Sequence, residues 1–504
     1  MRCVAALSVA ALIAAGLLLR RRRRRQATAA LLASPHTGGV AYLAAAYREA
    51  TLTPSDAVEH CLAAIAALDG TVGAFEQVYA EEAREQARAA TAALRSSSAL
   101  PLFHGIPFAL KDLVDVEGRV TTAGSAARRR HVATRTATVA RRLLANGGIL
   151  LGKVKTVEFA AGAWGINPRM GSPRNPWDAA VHRVAGGSSS GSGAAVGARL
   201  VPCALGTDTG GSVRLPAAFC GVVGVKTTEG LLPLDGVTPL SHTLDTAGAL
   251  AVCVADAALM LDAMLPPRLA ARARHLAAAA EGAARGVAGL RLAVAGEADR
   301  RALADARLLR AYDAALGRLR AAGAALAPLE LSLVSLAASN GLICFAEGYC
   351  HHKSLVDDAA APLDESVRAR LREAGHAPAH AYVEAMLGRR PAAERFLAEL
   401  DGCAALLLPA APMLPPPLEQ VDPASACSLF TRAANYLGLC AVSVPTRLTA
   451  PTEDEPALPT AVQVICRPND EATAIRVAAA VEAACGLEGA LPPLAYPPLR
   501  ARSR

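Results

Sequence analysis

The chain has 504 residues, 53% of them apolar and 19% charged, which supports a large packed core and excludes wholesale disorder. Of the formal charge of +8, seven positive charges come from Arg2 and the run Arg20 to Arg25, so the body is near neutral and lacks the basic face of a nucleic-acid binder. The twelve cysteines form no CxxC pair or close zinc-ligand spacing; Cys344, Cys350, His351 and His352 leave a metal open, but reduced core cysteines beside surface histidines are the preferred reading.

In chain order, Val4 to Leu19 is uncharged and six arginines follow it directly. Such a helix spans about 24 Å against a hydrocarbon core of about 30 Å. Charge after the apolar run argues against a cleaved secretory signal, and the positive-inside rule leaves the remainder in the cytosol. Residues 1–40 are therefore expected to be a signal anchor, with the body membrane-anchored on the cytosolic side. A presequence for chloroplast or mitochondrion is the alternative, since no acidic residue precedes Glu49.

Thr53-Pro54-Ser55-Asp56 predicts a helix start, with a Thr cap, Pro in the first turn and an acidic residue three after the cap. Val58, Leu62 and Ile65 continue it at helical spacing. A second helix is predicted over Glu76 to Leu94, ending at Ser96-Ser97-Ser98. Ile106 to Leu110 and Ile149 to Leu151 read as buried strands flanking a helix at Ala137 to Ala145. Ala271 to Gly289, rich in Ala, Arg and Gly, reads as a surface connection. A helix at Leu308 to Ala322 and a strand at Ala405 to Leu408 resume the alternation, and the Pro-rich tail after Leu491 reads as irregular. This is the pattern of an α/β fold.

The chemistry concentrates in Gly186-Gly187-Ser188-Ser189-Ser190-Gly191-Ser192-Gly193 and in Thr207-Asp208-Thr209-Gly210-Gly211-Ser212-Val213-Arg214, where Ser212 lies 24 residues after Ser188. A Gly/Ser linker is disfavoured because the first cluster runs straight into the apolar Ala194 to Leu205. Glycines so placed let backbone approach backbone and leave amides free for an oxyanion. One enzymatic reading takes Gly187 to Gly191 as G-x-S-x-G, with Ser189 the nucleophile of an α/β-hydrolase; its histidine would come from His242, His351, His352, His376 or His380, none in a suggestive context.

The other reading rests on likeness. Gly186 to Gly230 resembles the signature of the amidase-signature family nearly from end to end, and the resemblance runs from about residue 41 to 490. His104 to Asp112 resembles the family's catalytic-lysine segment, Asn175-Pro176-Trp177-Asp178 the approach to the signature, and Leu244 to Gly248 the segment after it. Phe430 to Pro445 and Leu458 to Val464 resemble its closing strands. The resemblance implies a single large domain over residues 41–490 with a mixed central β-sheet covered by helices on both sides, followed by a tail at 491–504. It implies Ser212 as nucleophile, Ser188 (after a cis peptide) as bridging serine and Lys111 as base, with an oxyanion hole from the backbone amides of Thr209, Gly210, Gly211 and Ser212. Ala185 and Ala249 stand where the family often has Pro, which bears on substrate choice rather than on the triad.

Elementary chemistry agrees with those roles. A serine hydroxyl needs a base, and an ordinary lysine titrating near ~10.4 is not one at neutral pH unless burial lowers it. Only five of the 52 basic residues are lysines (Lys111, Lys153, Lys155, Lys226 and Lys353), and guanidinium cannot serve where a proton must leave. Lys111 ends an apolar run, although a surface pair with Asp112 is its ordinary alternative. Asp208 and Arg214 are expected to brace the serine loops. The expected activity is hydrolysis of a linear carboxamide, without cofactor or metal, on a small-molecule or lipid amide. Membrane association through the N-terminus and a homodimer are both compatible with this. The alternatives are the glutaminase-type A subunit of a tRNA-dependent amidotransferase and a non-enzymatic, amidase-like membrane import receptor. The second is disfavoured because all three triad residues are present and no 34-residue repeat is.

Overall fold

The computed structural model describes residues 37–501 except 97–99, 271–274, 304, 423, 424, 426, 454 and 488. The apolar segment and arginine run on which the anchor expectation rests lie outside the described residues.

Among the described residues eleven strands form one mixed sheet: β1 (Phe75–Val78), β2 (Pro107–Lys111), β3 (Ile149–Val154), β4 (Cys203–Asp208), β5 (Val223–Lys226), β6 (Thr246–Ala251), β7 (Arg291–Val294), β8 (Ala325–Pro328), β9 (Ala405–Pro409), β10 (Cys440–Leu448) and β11 (Pro459–Cys466). Their order across the sheet is β1-β3-β2-β4-β6-β5-β10-β11-β9-β7-β8. β2 runs parallel to both β3 and β4, and β7 parallel to β8 and β9; the other pairings are antiparallel. Both faces are dry. Phe108 and Leu110 of β2 join one apolar cluster and Ala109 between them joins another, as strand alternation requires. The same split places Cys203 and Leu205 of β4 opposite Ala204. Strands buried on both sides explain why Ile106 to Leu110 reads as a continuous apolar run rather than an alternating one.

The predicted helix start is present. Helix Pro54–Val72 opens with a complete Thr53/Asp56 capping box, and helices Thr138–Ala145 and Ala306–Ala321 fall where the spacing places them. Two expectations need correction. Glu76 and Gln77 belong to β1, which pairs antiparallel with β3, so the helix begins only at Ala80 and runs to Ser96. Sheet pairing overrides the helical propensity of those two residues. Ala271 to Gly289 is not a surface connection over its described part. Helix His275–Arg285 buries His275, Ala278, Ala279 and Gly282, and a Cβ at Gly282 would stand 2.0 Å from the Arg476 carbonyl of helix Glu471–Cys485. The alanines and glycine are there for close helix packing. The tail is irregular but held: the Leu494 amide donates to the Pro176 carbonyl (3.1 Å) and the Tyr496 amide to that of Ala198 (3.0 Å).

Candidate active site

Three segments converge at the carboxyl ends of β2 and β4. Lys111 is the last residue of β2, Ser188 precedes helix Ser190–Gly197, and Ser212 lies in the turn between β4 and helix Arg214–Cys220. The glycines allow the approach: a Cβ at Gly206 would lie 2.8 Å from Ser189 Oγ, and Gly211 has φ +127° with a would-be Cβ 2.1 Å from Thr431 Oγ1.

Lys111 has no exposure to solvent. Its Nζ donates to Ser188 Oγ at 2.7 Å and to Thr207 Oγ1 at 2.8 Å. Burial pulls its pKa down to about 7 against the opposing charges of Asp245 and Asp208. The surface pairing with Asp112 does not occur; Asp112 is itself buried and pairs with Lys153 Nζ at 2.7 Å. The Gly187–Ser188 peptide is cis, and the Ser188 carbonyl accepts from the Val157 amide (3.2 Å) and Thr156 Oγ1 (3.0 Å). The Ser189 amide donates to the Ser212 carbonyl at 3.2 Å, tying the two serine segments together.

Asp208 and Arg214 brace this loop. The Asp208 carboxylate accepts from the amides of Gly211 (2.8 Å) and Val213 (3.1 Å) and from Arg214 Nε (3.0 Å) and Nη2 (2.9 Å). Burial alone would raise the Asp208 carboxyl; the Arg214 charge and hydrogen bonds outweigh it and hold the group well below the usual carboxylate range. The Gly211 amide is thus directed at the Asp208 carboxylate.

Thr209, Gly210 and Ser212 line a cavity of about 730 Å³. Its walls include Trp164, Ile166, Leu215 and Phe345, with Arg370 and Arg432 as cations. Ser189 lies elsewhere: it is fully buried, its Oγ bonds the carbonyl (3.2 Å) and amide (3.3 Å) of Thr207, and two of the candidate histidines have partners of their own. His352 Nε2 meets the Pro239 carbonyl at 2.9 Å, and His376 Nδ1 the Arg372 carbonyl at 2.7 Å. Among the described residues no group of three His, Cys, Asp or Glu is arranged to hold a metal, so Cys344, Cys350, His351 and His352 do not converge as ligands.

Three contributors carry no clear signal in the sequence. Thr207 shares Lys111 with Ser188; its position beside Asp208 is visible there, its partner is not. Asp245 accepts from Thr209 Oγ1 and from the amides of Leu240 (2.9 Å) and Ser241 (3.1 Å), which gives a physical role to the Leu244 to Gly248 motif. Arg432 reaches the cavity from a distant part of the chain, and no local signal announces it.

The fold and this constellation define a carbon–nitrogen hydrolase of the amidase type. A profile of the amidase family matches residues 56–475, and the chain belongs to that family. It is 34% identical over 470 residues to the A subunit of the glutamyl-tRNA(Gln) amidotransferase of Acidobacterium capsulatum, covering 87% of this chain and 97% of that one. With the corresponding protein of Aromatoleum aromaticum it shares 36% identity over 417 residues, 75% and 84% of the two chains. Among solved structures it resembles an amidase (TM-score 0.79, 28% identity, 89% and 100% covered) and the peptide amidase of Stenotrophomonas maltophilia (TM-score 0.74, 27% identity, 88% and 96% covered).

These findings overturn the membrane-anchored and organelle-targeted placement. Among the described residues no helix is long and apolar enough to cross a membrane, and the relatives matched over most of their length are bacterial amidotransferase subunits.

Proposed function

We propose that the protein hydrolyses a linear carboxamide through an acyl-enzyme on Ser212. Ser188 is the proton relay and neutral Lys111 the base. The observation that carries this is the fully buried Lys111 with Nζ 2.7 Å from Ser188 Oγ. As Ser212 Oγ attacks the amide carbon, its proton passes to Ser188, whose own proton passes to Lys111. The oxyanion is received by the amides of Thr209, Gly210 and Ser212. Collapse of the tetrahedral intermediate breaks the C–N bond, and the proton returns through Ser188 to the leaving nitrogen as ammonia or amine departs. Water then repeats the sequence on the ester and releases the carboxylate. A second reading, glutamine hydrolysis within a tRNA-dependent amidotransferase, is favoured by the relatives' names and coverage.

The test is labelling by a serine-directed fluorophosphonate, competed by a panel of amides that includes glutamine. Labelling at Ser212, lost in Ser212→Ala and blocked by a substrate amide, supports the proposal. Labelling that survives in Ser212→Ala and disappears in Ser189→Ala overturns it. Ammonia release from glutamine far above the other amides selects the second reading.

A further inference from the structure

We propose that a second cavity, beside β1 and the end of β3, binds a small phosphate dianion, free or as a monoester; the proposal is independent of the amidase reading. The cavity measures about 470 Å³ and shares no lining residue with the one at Ser212. Lys155, Arg129 and Arg169 bring three cations to it, against the one carboxylate of Glu76. Lys155 is half-buried, and the two arginines reach in from exposed positions. Burial raises the Glu76 carboxyl and Asp112 adds to the rise, while Lys155, Arg129 and Lys153 oppose it. At most one negative charge on the cavity wall therefore faces three positive ones.

Lys155 differs from the other four lysines. Lys111 meets hydroxyls, Lys153 a carboxylate and Lys226 two carbonyls, and Lys353 stands 5.9 Å from the centre of the Tyr349 ring. Among the described residues Lys155 Nζ makes no hydrogen bond or ion pair, although its field reaches the Asp69 and Glu76 carboxyls. Its surroundings are fixed. The Lys155 amide donates to the Ala74 carbonyl (2.8 Å), and its own carbonyl accepts from the Gly191 amide (2.9 Å). Gly171, at φ +90°, leaves room for the ammonium, since a Cβ there would stand 2.7 Å from Nζ. The loop that presents Arg169 is held by buried Asn167, whose Nδ2 donates to the carbonyls of Gly124 (2.8 Å) and Thr156 (2.9 Å) and whose Oδ1 accepts from the amides of Arg169 (3.2 Å) and Met170 (3.0 Å). Arg129 is tied to the same loop, with Nη2 donating to the Arg169 carbonyl (3.2 Å) and Nε to Met170 Sδ (3.3 Å).

The donors left over are cationic. Arg169 spends Nε on the Leu363 carbonyl (2.6 Å), which leaves both terminal nitrogens, and Arg129 keeps Nη1. The neutral polar side chains of the wall are already engaged: Thr122 Oγ1 donates to the Asp112 carboxylate, and Gln77 gives Nε2 to the Val120 carbonyl (3.4 Å) and Oε1 to the Tyr79 hydroxyl (3.0 Å). A site whose free donors are two guanidiniums and an ammonium, on three separate segments, suits a tetrahedral oxyanion of charge −2, with arginine forks on pairs of oxygens and lysine as a point charge. Phe75, Val120 and Met170 offer apolar surface to the carbon part of an ester.

The test is titration calorimetry of the full chain at about pH 8, where a phosphate monoester is a dianion, with inorganic phosphate, phenyl phosphate and acetate at one ionic strength. Saturable binding of the phosphates is expected, with acetate weaker by about tenfold or more. Lys155→Met should weaken phosphate binding by about tenfold. Lys353→Met removes the same charge elsewhere and should leave it unchanged. Phenyl phosphate tighter than inorganic phosphate assigns the site to a monoester; equal or weaker binding assigns it to the free ion. No saturable binding of either phosphate overturns the proposal, as does acetate binding equally well or phosphate affinity unaltered in Lys155→Met. Should that variant fail to fold, Arg129→Gln, at an exposed position, decides by the same criterion.

Discussion

Three lysines of the chain, Lys111, Lys153 and Lys226, are fully buried, and what faces each ammonium decides what it can do. Lys153 Nζ meets the Asp112 carboxylate (2.7 Å) in a buried ion pair. Lys226 Nζ donates to the carbonyls of Thr227 (2.9 Å) and Leu439 (2.7 Å); burial pulls its pKa to about 8, yet both of these partners are acceptors with no proton to give. Lys111 alone meets two hydroxyls, so its lowered pKa can be used on a serine. In the proposed mechanism protonation of Lys111 abolishes the base, and burial, outweighing the two nearby aspartates, pulls its pKa down to about 7. The expected profile of kcat/KM is flat on the alkaline side and falls tenfold per pH unit below about 7. A rate unchanged between pH 5 and 9 is incompatible with this base. Lys111→Arg supplies a group of similar length that cannot deprotonate, and its expected loss in kcat/KM is about 10²–10⁴-fold. Steady-state kinetics of the purified variant, with its melting temperature as a folding control, checks this; near-normal turnover would show that position 111 is needed for charge rather than as a base.

At the scale of elements, helix Val40–Arg48 begins at Gly39, which has no side chain to cap it. The cap comes from another element. Asp256, in the first turn of helix Val254–Met264, accepts from the Ala41 amide through Oδ1 at 2.7 Å. Its Oδ2 is buried without a partner, and burial raises the carboxyl to about 6 although the amides at the helix N-terminus and Arg199 oppose the rise. A carboxyl whose folded pKa exceeds its unfolded value of 3.8 contributes full stability below about pH 4 and loses it as pH rises through about 6. Asp256→Asn keeps an acceptor for Ala41 and removes the titration. It should therefore gain on the wild type between pH 4.5 and pH 7 by about 2 kcal/mol, read as the change in the urea-midpoint difference. A difference that does not move with pH refutes this. Neither this cross-capping nor β1 was legible in the chain. The Thr53 box was, because its two partners are three residues apart. Glu76 and Gln77 look helical by composition, and only pairing with β3, more than 70 residues away, makes them a strand. Helix His275–Arg285 was hidden for the opposite reason: its Ala/Gly face is a packing surface only where another helix lies against it.

For the molecule as a whole, the same distinction between local and distant partners explains what the sequence disclosed of the site. Lys111, Ser188 and Ser212 were legible because each sits in a dense local motif and because lysine is scarce in this chain; Asp245, Thr207 and Arg432 were not, since their roles exist only across 36, 96 and 95 residues of intervening chain, to Thr209, Lys111 and Ala337 respectively. A longer tie of this kind is made by Arg214. It is fully buried, bonds Asp208 with two nitrogens, and reaches Gln463 Oε1 of β11 (2.8 Å) and Asn435 Oδ1 (2.7 Å), 249 and 221 residues away. Gln463 in turn donates to the carbonyls of Phe430 (2.7 Å) and Pro409 of β9 (3.2 Å). One guanidinium thus joins the loop that carries Ser212 to the closing strands of the sheet. Arg214→Met keeps most of the volume but leaves the Asp208 charge buried with only two backbone amides, for an expected loss of about 3–5 kcal/mol of global stability. Asp208→Asn added to that variant removes the orphaned charge and should recover a clear part of the loss, a coupling that a double-mutant cycle in urea measures directly. Single losses that simply add would mean that Arg214 and Asp208 stabilise the protein independently, and the shared brace between loop and sheet would have to be abandoned.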